Sequence, residues 1–367
     1  MSHRPEKRVL VAGASGTVGQ AAVAQFEALG DWQVLAVSRR PPEHAGTGRV
    51  RHIAVDLLDA DACRAAVAGL PPVTHLVYTA LHERPDLVAG WRDPGQMATN
   101  LAMLRNLIDP LAGRGGLRHV SLLQGTKAYG VHLRPIRVPA REHWPRDAHD
   151  NFYWLQEDYL RAQAGRYGFA MTVLRPQIVF GDVLGVAMNL IPVLGAWAAI
   201  RREEGRPFSF PGGPPYLLEA TDARLLARVL AWAAESPAAA GETFNVTNGD
   251  VFVWQNVWPA IAAALGVEPG EPEPQSVAEM LAGKAQVWDR IVARHGLRPV
   301  RLAALLGQSD QYADFCFARG AKRPPAPALV STIKLRKAGF HDCIDTEDMF
   351  VQLIGGMQAR RLIPSPG

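Results

Sequence analysis

Short apolar runs alternate with longer stretches of helical period through the first half of the chain. Runs rich in Val, Leu and Ile recur at 8–12, 33–37, 50–55, 73–79, 118–123 and 170–175. Between them, residues 18–29, 60–69, 94–114 and 151–167 carry apolar side chains at intervals of three and four, the spacing that lines one face of a helix. Alternation of this kind predicts a parallel sheet covered by helices on both faces. Pro71-Pro72 and Gly115-Gly116 mark turns between elements.

Beyond Gly181 the rhythm changes. Residues 183–200 are uncharged and about long enough to cross a bilayer. They contain Asn189, Pro192 and two glycines, and Arg201-Arg-Glu-Glu204 follows, so a buried helix of a soluble protein is the expectation. Residues 207–215, rich in Pro and Gly, read as a loop. Residues 221–235 read as an amphipathic helix with Thr221 as its N-cap, and 242–246 as one more strand. The remainder is mostly helical, broken by proline-rich loops at 266–274 and 322–327, and no internal repeat is present.

At 367 residues, the chain suits one α/β core with a smaller attached domain. The expected architecture is a doubly wound parallel sheet of Rossmann type with a smaller, mainly helical C-terminal domain. Residues 1–181 would form the nucleotide-binding part, with 221–248 packing back onto it. Residues 182–220 and 249–367 would form the substrate-binding part.

Composition narrows the function classes. Apolar residues make up 48% of the chain, enough for a sizeable core, which excludes a disordered protein. The net charge of +4 is spread among interleaved acids and bases, with no basic tract for nucleic acid. Three cysteines, Cys63, Cys316 and Cys343, include no Cys-x-x-Cys, which argues against a disulfide framework or zinc ribbon. The eleven histidines show no metal-ligand spacing, and His143 and His149 read as surface residues, so no metal is expected. The chain opens with a polar run, Ser2 to Arg8, that leads straight into a strand with no signal peptide ahead of it. A cytoplasmic protein with no membrane partner is expected.

The chemistry begins at Gly13-Ala-Ser-Gly-Thr-Val-Gly19, a Gly-x-x-Gly-x-x-Gly loop between the first strand and the first helix. Glycines there let the backbone approach a pyrophosphate, and the helix N-terminus offers it free N–H groups. The second strand ends in Val37-Ser-Arg-Arg40. An acid at that point would bind a ribose hydroxyl, whereas arginine accepts a 2′-phosphate. Arg39 and Arg40 therefore predict NADPH over NADH. Asp56, after the third strand, is placed for the adenine amino group.

A dinucleotide loop with a Tyr and a Lys downstream suggests short-chain dehydrogenase chemistry, which usually holds the pair as Tyr-x-x-x-Lys on one helix. None of the seven tyrosines here has a lysine four residues later, and Tyr153 is followed at that spacing by Glu157. Lys127, just past the fifth strand, and Tyr153, in the first turn of the next helix, both fall at the carboxyl edge of the predicted sheet, where ligands bind in open α/β folds.

At these residues the sequence resembles the plant progesterone 5β-reductases and iridoid synthases with their bacterial relatives, atypical extended short-chain dehydrogenases. Leu122-Leu-Gln-Gly-Thr-Lys-Ala-Tyr129 is similar to their Leu-Gln-Thr-Gly-x-Lys-His-Tyr motif, and Asn151 to Asp158 to their Asn-Phe-Tyr-Tyr-x-x-Glu-Asp. Similarity continues through Arg39-Arg40, Leu174 to Gly181, Met188 to Leu190, Phe244 to Phe252 and Val287 to Val292, and fades after about residue 300. The chain departs from the pattern where Gln and Thr are permuted around Gly125. Ala128 replaces a histidine, and Trp154 stands for the second tyrosine.

The resemblance implies NADPH-dependent reduction of the C=C bond of an apolar enone: a steroid, a terpenoid or a small enone. The Tyr153 phenol would stabilise the enolate oxygen. The Lys127 ammonium would favour phenolate character in Tyr153 and hold the nicotinamide ribose, and solvent could return the proton to the α-carbon. The expected cofactor contacts are Gly13, Ser15, Gly16, Thr17, Val18, Gly19, Ser38, Arg39, Arg40, Asp56, Leu57, Thr79, Ala80, Gln124, Lys127, Tyr153, Pro176 and Ile178. Tyr129, Trp144, Trp154 and Met188, with Trp91 and Trp197, are candidates for an apolar substrate pocket. A homodimer through helices 94–114 and 151–167 is a further expectation. Two other readings stay open: a carbonyl reductase or sugar epimerase/dehydratase, and an NADP-binding sensor without chemistry.

Overall fold

The structure is a computed structural model that describes residues 7–43, 48–85 and 87–366. Most of the polar lead-in at the N-terminus lies outside the described residues. In chain order the first half runs β1 (Lys7–Ala12), α1 (Thr17–Ala28), β2 (Trp32–Ser38), β3 (Val50–Ala54), α2 (Ala60–Ala68), β4 (His75–Tyr78), α3 (Leu87–Gly90), α4 (Pro94–Gly113), β5 (His119–Leu123), α5 (Phe152–Tyr167) and β6 (Ala170–Pro176). There follow β7 (Ile178–Phe180), α6 (Leu190–Glu203), β8 (Phe208–Ser209), β9 (Ala220–Asp222), α7 (Ala223–Glu235), β10 (Thr243–Val246) and α8 (Trp254–Leu265). Short helices fill the remainder up to a final one, Thr346–Ala359.

Seven parallel strands form one sheet in the order β10-β6-β5-β4-β1-β2-β3. The apolar runs explain it. Along β1, Val9 and Val11 join a core with Val23 and Phe26 of α1 and Leu226 and Val229 of α7. Leu10 and Ala12 join the opposite core, with Val67 of α2, Leu104 and Ile108 of α4 and Leu160 of α5. Alternate side chains of a strand point to opposite faces, so both faces must be apolar and both carry helices. The chain order reverses between β1 and β4, which opens a crevice at the carboxyl edge of the strands. This is a Rossmann-type α/β fold.

A third core gathers α6, α8 and the final helix around Trp197, Trp254, Phe350 and Trp288. Helix α6 is buried along almost its whole length, as the uncharged stretch predicted, but it starts only at Leu190. Asn189 caps it, and its Nδ2 donates to the Gly181 and Val183 carbonyls, both at 2.7 Å, which keeps 181–188 non-helical. No helix among the described residues is long and apolar enough to cross a membrane.

Two local expectations are corrected. Thr221 does not cap α7: it lies in β9, pairs with Val179 of β7 and donates its hydroxyl to the Val246 carbonyl at 3.0 Å. Asp222 is the cap, accepting from the Arg224 N–H at 2.7 Å. Within the predicted loop 207–215, Phe208–Ser209 forms a short strand paired with Pro269–Gly270.

Candidate active site

One cavity of ≈ 1390 Å³ runs along the carboxyl edge of the sheet, from the β1–α1 loop to the C-terminal core. Gly13 sits at φ +82°, and a Cβ there would lie 2.8 Å from the Ala80 backbone; at Gly19 it would lie 2.0 Å from the Gly13 carbonyl oxygen. Only glycine fits both positions. The loop folds tightly, with the Gly13 and Ala14 N–H groups donating to the Val37 carbonyl at 2.9 and 3.1 Å. Gly16 caps α1 with no side-chain acceptor, so the helix end faces the cavity open to an anion.

The other dinucleotide positions follow along the same edge. Arg39 and Arg40 leave the end of β2 exposed, with no ion pair among the described residues, and both line the cavity with Ser38, Asp56, Leu57, Thr79 and Ala80. Thr79 is pinned by its hydroxyl to the Ala12 carbonyl at 2.7 Å. The glycine cradle and the open helix end fit the pyrophosphate of a nicotinamide dinucleotide.

Lys127 belongs to a 3-10 turn, Thr126–Tyr129, directly after β5. Tyr153 belongs to the first turn of α5. Asn151 couples them: its Oδ1 accepts from the Tyr153 N–H at 3.0 Å, and its Nδ2 reaches the Lys127 carbonyl at 3.4 Å. One N-cap thus fixes the helix start and the lysine turn together. Both side chains line the cavity. A Cβ on Gly125 would come 3.1 Å from the Tyr153 hydroxyl, so the absence of a side chain there keeps the phenol accessible.

The electrostatics differ from the expectation in one respect. Burial pushes the Tyr153 phenol well above its ordinary value; nearby Glu83 adds to this and Arg175 opposes it. Lys127 is not among the groups that shift it. Burial thus favours the neutral phenol, the form that can donate a hydrogen bond. Burial lowers Lys127 to about 8, with Glu83 opposing, and its Nζ lies 4.0 Å over the Trp91 ring.

The sequence profile of the NAD dependent epimerase/dehydratase family matches residues 9–247. The chain belongs to that family. A (S)-8-oxocitronellyl enol synthase from Antirrhinum majus is 31% identical, covering 91% of this chain and 86% of its own length. A 3-oxo-Delta(4,5)-steroid 5-beta-reductase from Arabidopsis thaliana is 32% identical, covering 81% and 80%. The protein is an oxidoreductase of this progesterone 5β-reductase and iridoid synthase kind. Among solved structures, UDP-glucose 4-epimerase from Thermotoga maritima superposes with a TM-score of 0.66 at 15% identity, covering 96% of this chain and 99% of that one. A short-chain dehydrogenase/reductase superfamily protein from Agrobacterium tumefaciens with bound NAD gives 0.63 at 17%, covering 97% and 98%. These two likenesses concern the fold alone.

Glu157 follows Tyr153 at the spacing where short-chain dehydrogenases usually carry their lysine, and it is held by partners of its own. Gln124 Nε2 donates to it at 2.8 Å, and Arg161 and Arg146 pair with it at 2.8 and 3.2 Å. Burial alone would raise its pKa, but these partners hold it below the ordinary value. Gln124 also accepts from Arg175 Nε at 2.8 Å and donates to the Tyr153 carbonyl at 3.3 Å. This buried network supports the helix turn that carries Tyr153. Pro176 and Ile178 line the cavity beyond it.

The aromatic candidates need correction. Met188 and Trp91 line the cavity; Tyr129, Trp144, Trp154 and Trp197 do not. The Tyr129 hydroxyl donates to Asn245 Oδ1 at 2.7 Å, and its ring packs with Ala140, Val330 and Trp144. Trp154 lies 4.8 and 5.5 Å from the Arg146 and Arg175 guanidiniums. One residue on from Tyr153, it is turned about 100° around the helix. Trp197 lies in the third core. The cavity is lined instead by Tyr216, Leu217, Tyr312, Phe315 and the proline-rich stretch 325–329.

Glu83, Glu219 and His132 are among the titratable residues on the cavity that escaped sequence reasoning. Glu83 is raised by burial, Glu219 is raised to about 7 by burial, and His132 is lowered to about 4 by burial and the Lys127 charge. Glu83 lies five residues after the end of β4, and that position on the carboxyl edge was the one readable signal.

Proposed function

We propose that the protein reduces the C=C bond of an apolar enone by 1,4-addition, using NADPH. The observation that carries this reading is Lys127 and Tyr153, contributed by separate elements, on the wall of a cavity that begins at the glycine loop. Relatives named as an enol synthase and a steroid 5-beta-reductase support it.

NADPH, when bound, supplies a hydride. This chain's residues govern what happens around that transfer. The Gly13–Gly19 loop and the α1 N-terminus hold the pyrophosphate, and Arg39 and Arg40 hold the 2′-phosphate. Lys127 holds the ribose. Negative charge gathers on the substrate oxygen as the β-carbon gains hydride, and the neutral Tyr153 phenol donates a hydrogen bond to it as it forms. A donor fixed in a desolvated site needs no reorganisation at that moment. The aromatic lining from Tyr216, Tyr312 and Phe315 accepts a hydrocarbon skeleton.

The test is NADPH oxidation with simple enones, followed by product identification. A saturated ketone, or its enol, is expected. An allylic alcohol as sole product would show carbonyl reduction instead, and absence of any NADPH oxidation would favour a sensor.

A further inference from the structure

The segment that follows β4 carries a carboxyl group that has no part in the hydride chemistry proposed so far. Helix α4 clamps its backbone on both sides of Glu83. The His82 N–H donates to Asn100 Oδ1 at 2.9 Å, and Asn100 Nδ2 donates back to the His82 carbonyl at 2.9 Å. The Arg84 N–H donates to Gln96 Oε1 at 3.0 Å, and the Arg84 guanidinium pairs with Asp93 at 2.8 Å. Asn100 and Gln96 are 0% and 2% exposed. Gln156 of α5 secures Asn100 in turn, donating to its carbonyl at 2.8 Å. Glu83 stands between these clamps and lines the cavity.

Its two oxygens are treated differently. Oε2 accepts from Gln96 Nε2 at 2.6 Å. Because Gln96 Oε1 is already claimed by Arg84, the amide can present only its donor to the carboxyl. Oε1 is buried and has no hydrogen-bond partner. The Trp91 indole N–H is near enough to favour the ionised form but completes no hydrogen bond. A carboxyl that merely braced the loop would need only the Gln96 contact, and a buried polar atom left unpaired costs about 1–3 kcal/mol. Such an atom on the wall of an active-site cavity calls for a functional explanation. The same carboxyl is electrostatically coupled to both the Lys127 ammonium and the Tyr153 phenol.

We propose that Glu83 is a catalytic acid, delivering the proton to the substrate α-carbon after Tyr153 has stabilised the enolate. The inference rests on the enone-reductase reading. Hydride addition breaks the C=C π bond, forms the β C–H bond and moves an electron pair onto the oxygen. As the carbonyl re-forms, the α-carbon takes the proton of the Glu83 carboxyl, leaving a carboxylate that regains a proton from solvent. Enone, NADPH and one proton become saturated ketone and NADP+. Burial favours the protonated form of Glu83, and the Lys127 charge stabilises the carboxylate left afterwards. A fixed donor protonates one face, so the α-carbon takes a single configuration.

The test uses (R)-carvone, an enone whose fixed ring stereocentre makes the two α-carbon configurations diastereomers, in D2O with NADPH, reading the α-carbon configuration and deuterium content by NMR before exchange. The unmutated protein should give one α-deuterated diastereomer. Glu83→Gln should give both, with slower NADPH oxidation, because the enol is then protonated in solvent. Glu83→Ala, which places no amide beside Gln96, should give the same mixture. Trp154→Phe, outside the cavity, should keep one diastereomer. NADPH binding, followed by fluorescence, reports that each variant is folded. A single diastereomer from both Glu83 variants, or a mixture from the unmutated protein, would overturn the role of Glu83 alone. An unmutated protein that reduces no enone would overturn the enone-reductase reading on which that role rests.

Discussion

At the Gly13–Gly19 end of the cavity the wall is mostly backbone; at the Glu83–Trp91 end it is side chain. The first end depends on what is absent, since a single Cβ on Gly19 would lie 2.0 Å from a carbonyl oxygen. The second depends on buried amides, Asn100, Gln96 and Asn151, each of which positions a neighbouring segment by its hydrogen bonds. A backbone cradle suits a ligand common to a whole family. A side-chain wall can vary, so on the proposed reading substrate choice would reside there. Tyr153 and Lys127 sit where the two ends meet.

The largest effect should come from that junction. Removing one oxyanion donor typically lowers turnover by ~10²–10³. Tyr153→Phe should therefore lose about that much in kcat while its NADPH affinity, measured by fluorescence titration, stays near that of the unmutated protein. If affinity and turnover fell together, Tyr153 would belong to the cofactor end.

The next effect tests the cofactor end alone. A hydrogen bond to a charged group contributes about 1.5 kcal/mol at its lower limit, or roughly tenfold in affinity, and exposed arginines belong at that limit. Arg39→Ala with Arg40→Ala should raise the Michaelis constant for NADPH by about tenfold for each guanidinium–phosphate hydrogen bond removed, and leave that for NADH nearly unchanged. Equal use of NADH and NADPH by the unmutated protein would remove the assignment of a 2′-phosphate site.

The pH dependence separates Lys127 from both ends. Its pKa is lowered to about 8 by burial, so the ammonium is present below that pH and is lost as pH rises through it. A profile of kcat/KM for NADPH reports ionisations of the free enzyme. It should be level in the neutral range and fall above about pH 8. Lys127→Arg, whose charge persists to higher pH, should move the fall upward. A profile unchanged in that variant would assign the break to another group.

Legibility in the sequence followed the same division. The cavity lining near the glycine loop was readable because each part lies within a few residues of a strand end: Gly13 after β1, Arg39 after β2, Asp56 after β3 and Thr79 after β4. The place of Lys127 and Tyr153 on the cavity wall was readable from their motifs and their shared edge. The substrate end draws on segments near residues 83, 132, 187, 217 and 315, and only the fold brings these together. Chain proximity to the site misled for Tyr129 and Trp154, because one step along a helix turns a side chain about 100° and a strut can be as aromatic as a pocket. Thr221 misled for a related reason: its capping chemistry was right for a helix start, but β7 claims it as a strand residue.

The smallest expected effect sharpens that last distinction. Tyr129 lies two residues from Lys127, yet its hydroxyl is bound to Asn245 at 2.7 Å, and Asn245 Nδ2 donates to the Ala140 and Ser331 carbonyls at 3.1 and 3.2 Å. The residue ties the turn after β5 to β10 and to the loop at 331. Tyr129→Phe keeps the ring packing and deletes one buried hydrogen bond, leaving Asn245 Oδ1 unpaired. That should cost about 1–3 kcal/mol of stability, read as a lower midpoint in urea with an unchanged slope. The turnover number of the folded variant should match that of the unmutated protein, because the phenol reaches no part of the cavity. A change in kcat without a change in stability would return Tyr129 to the substrate end.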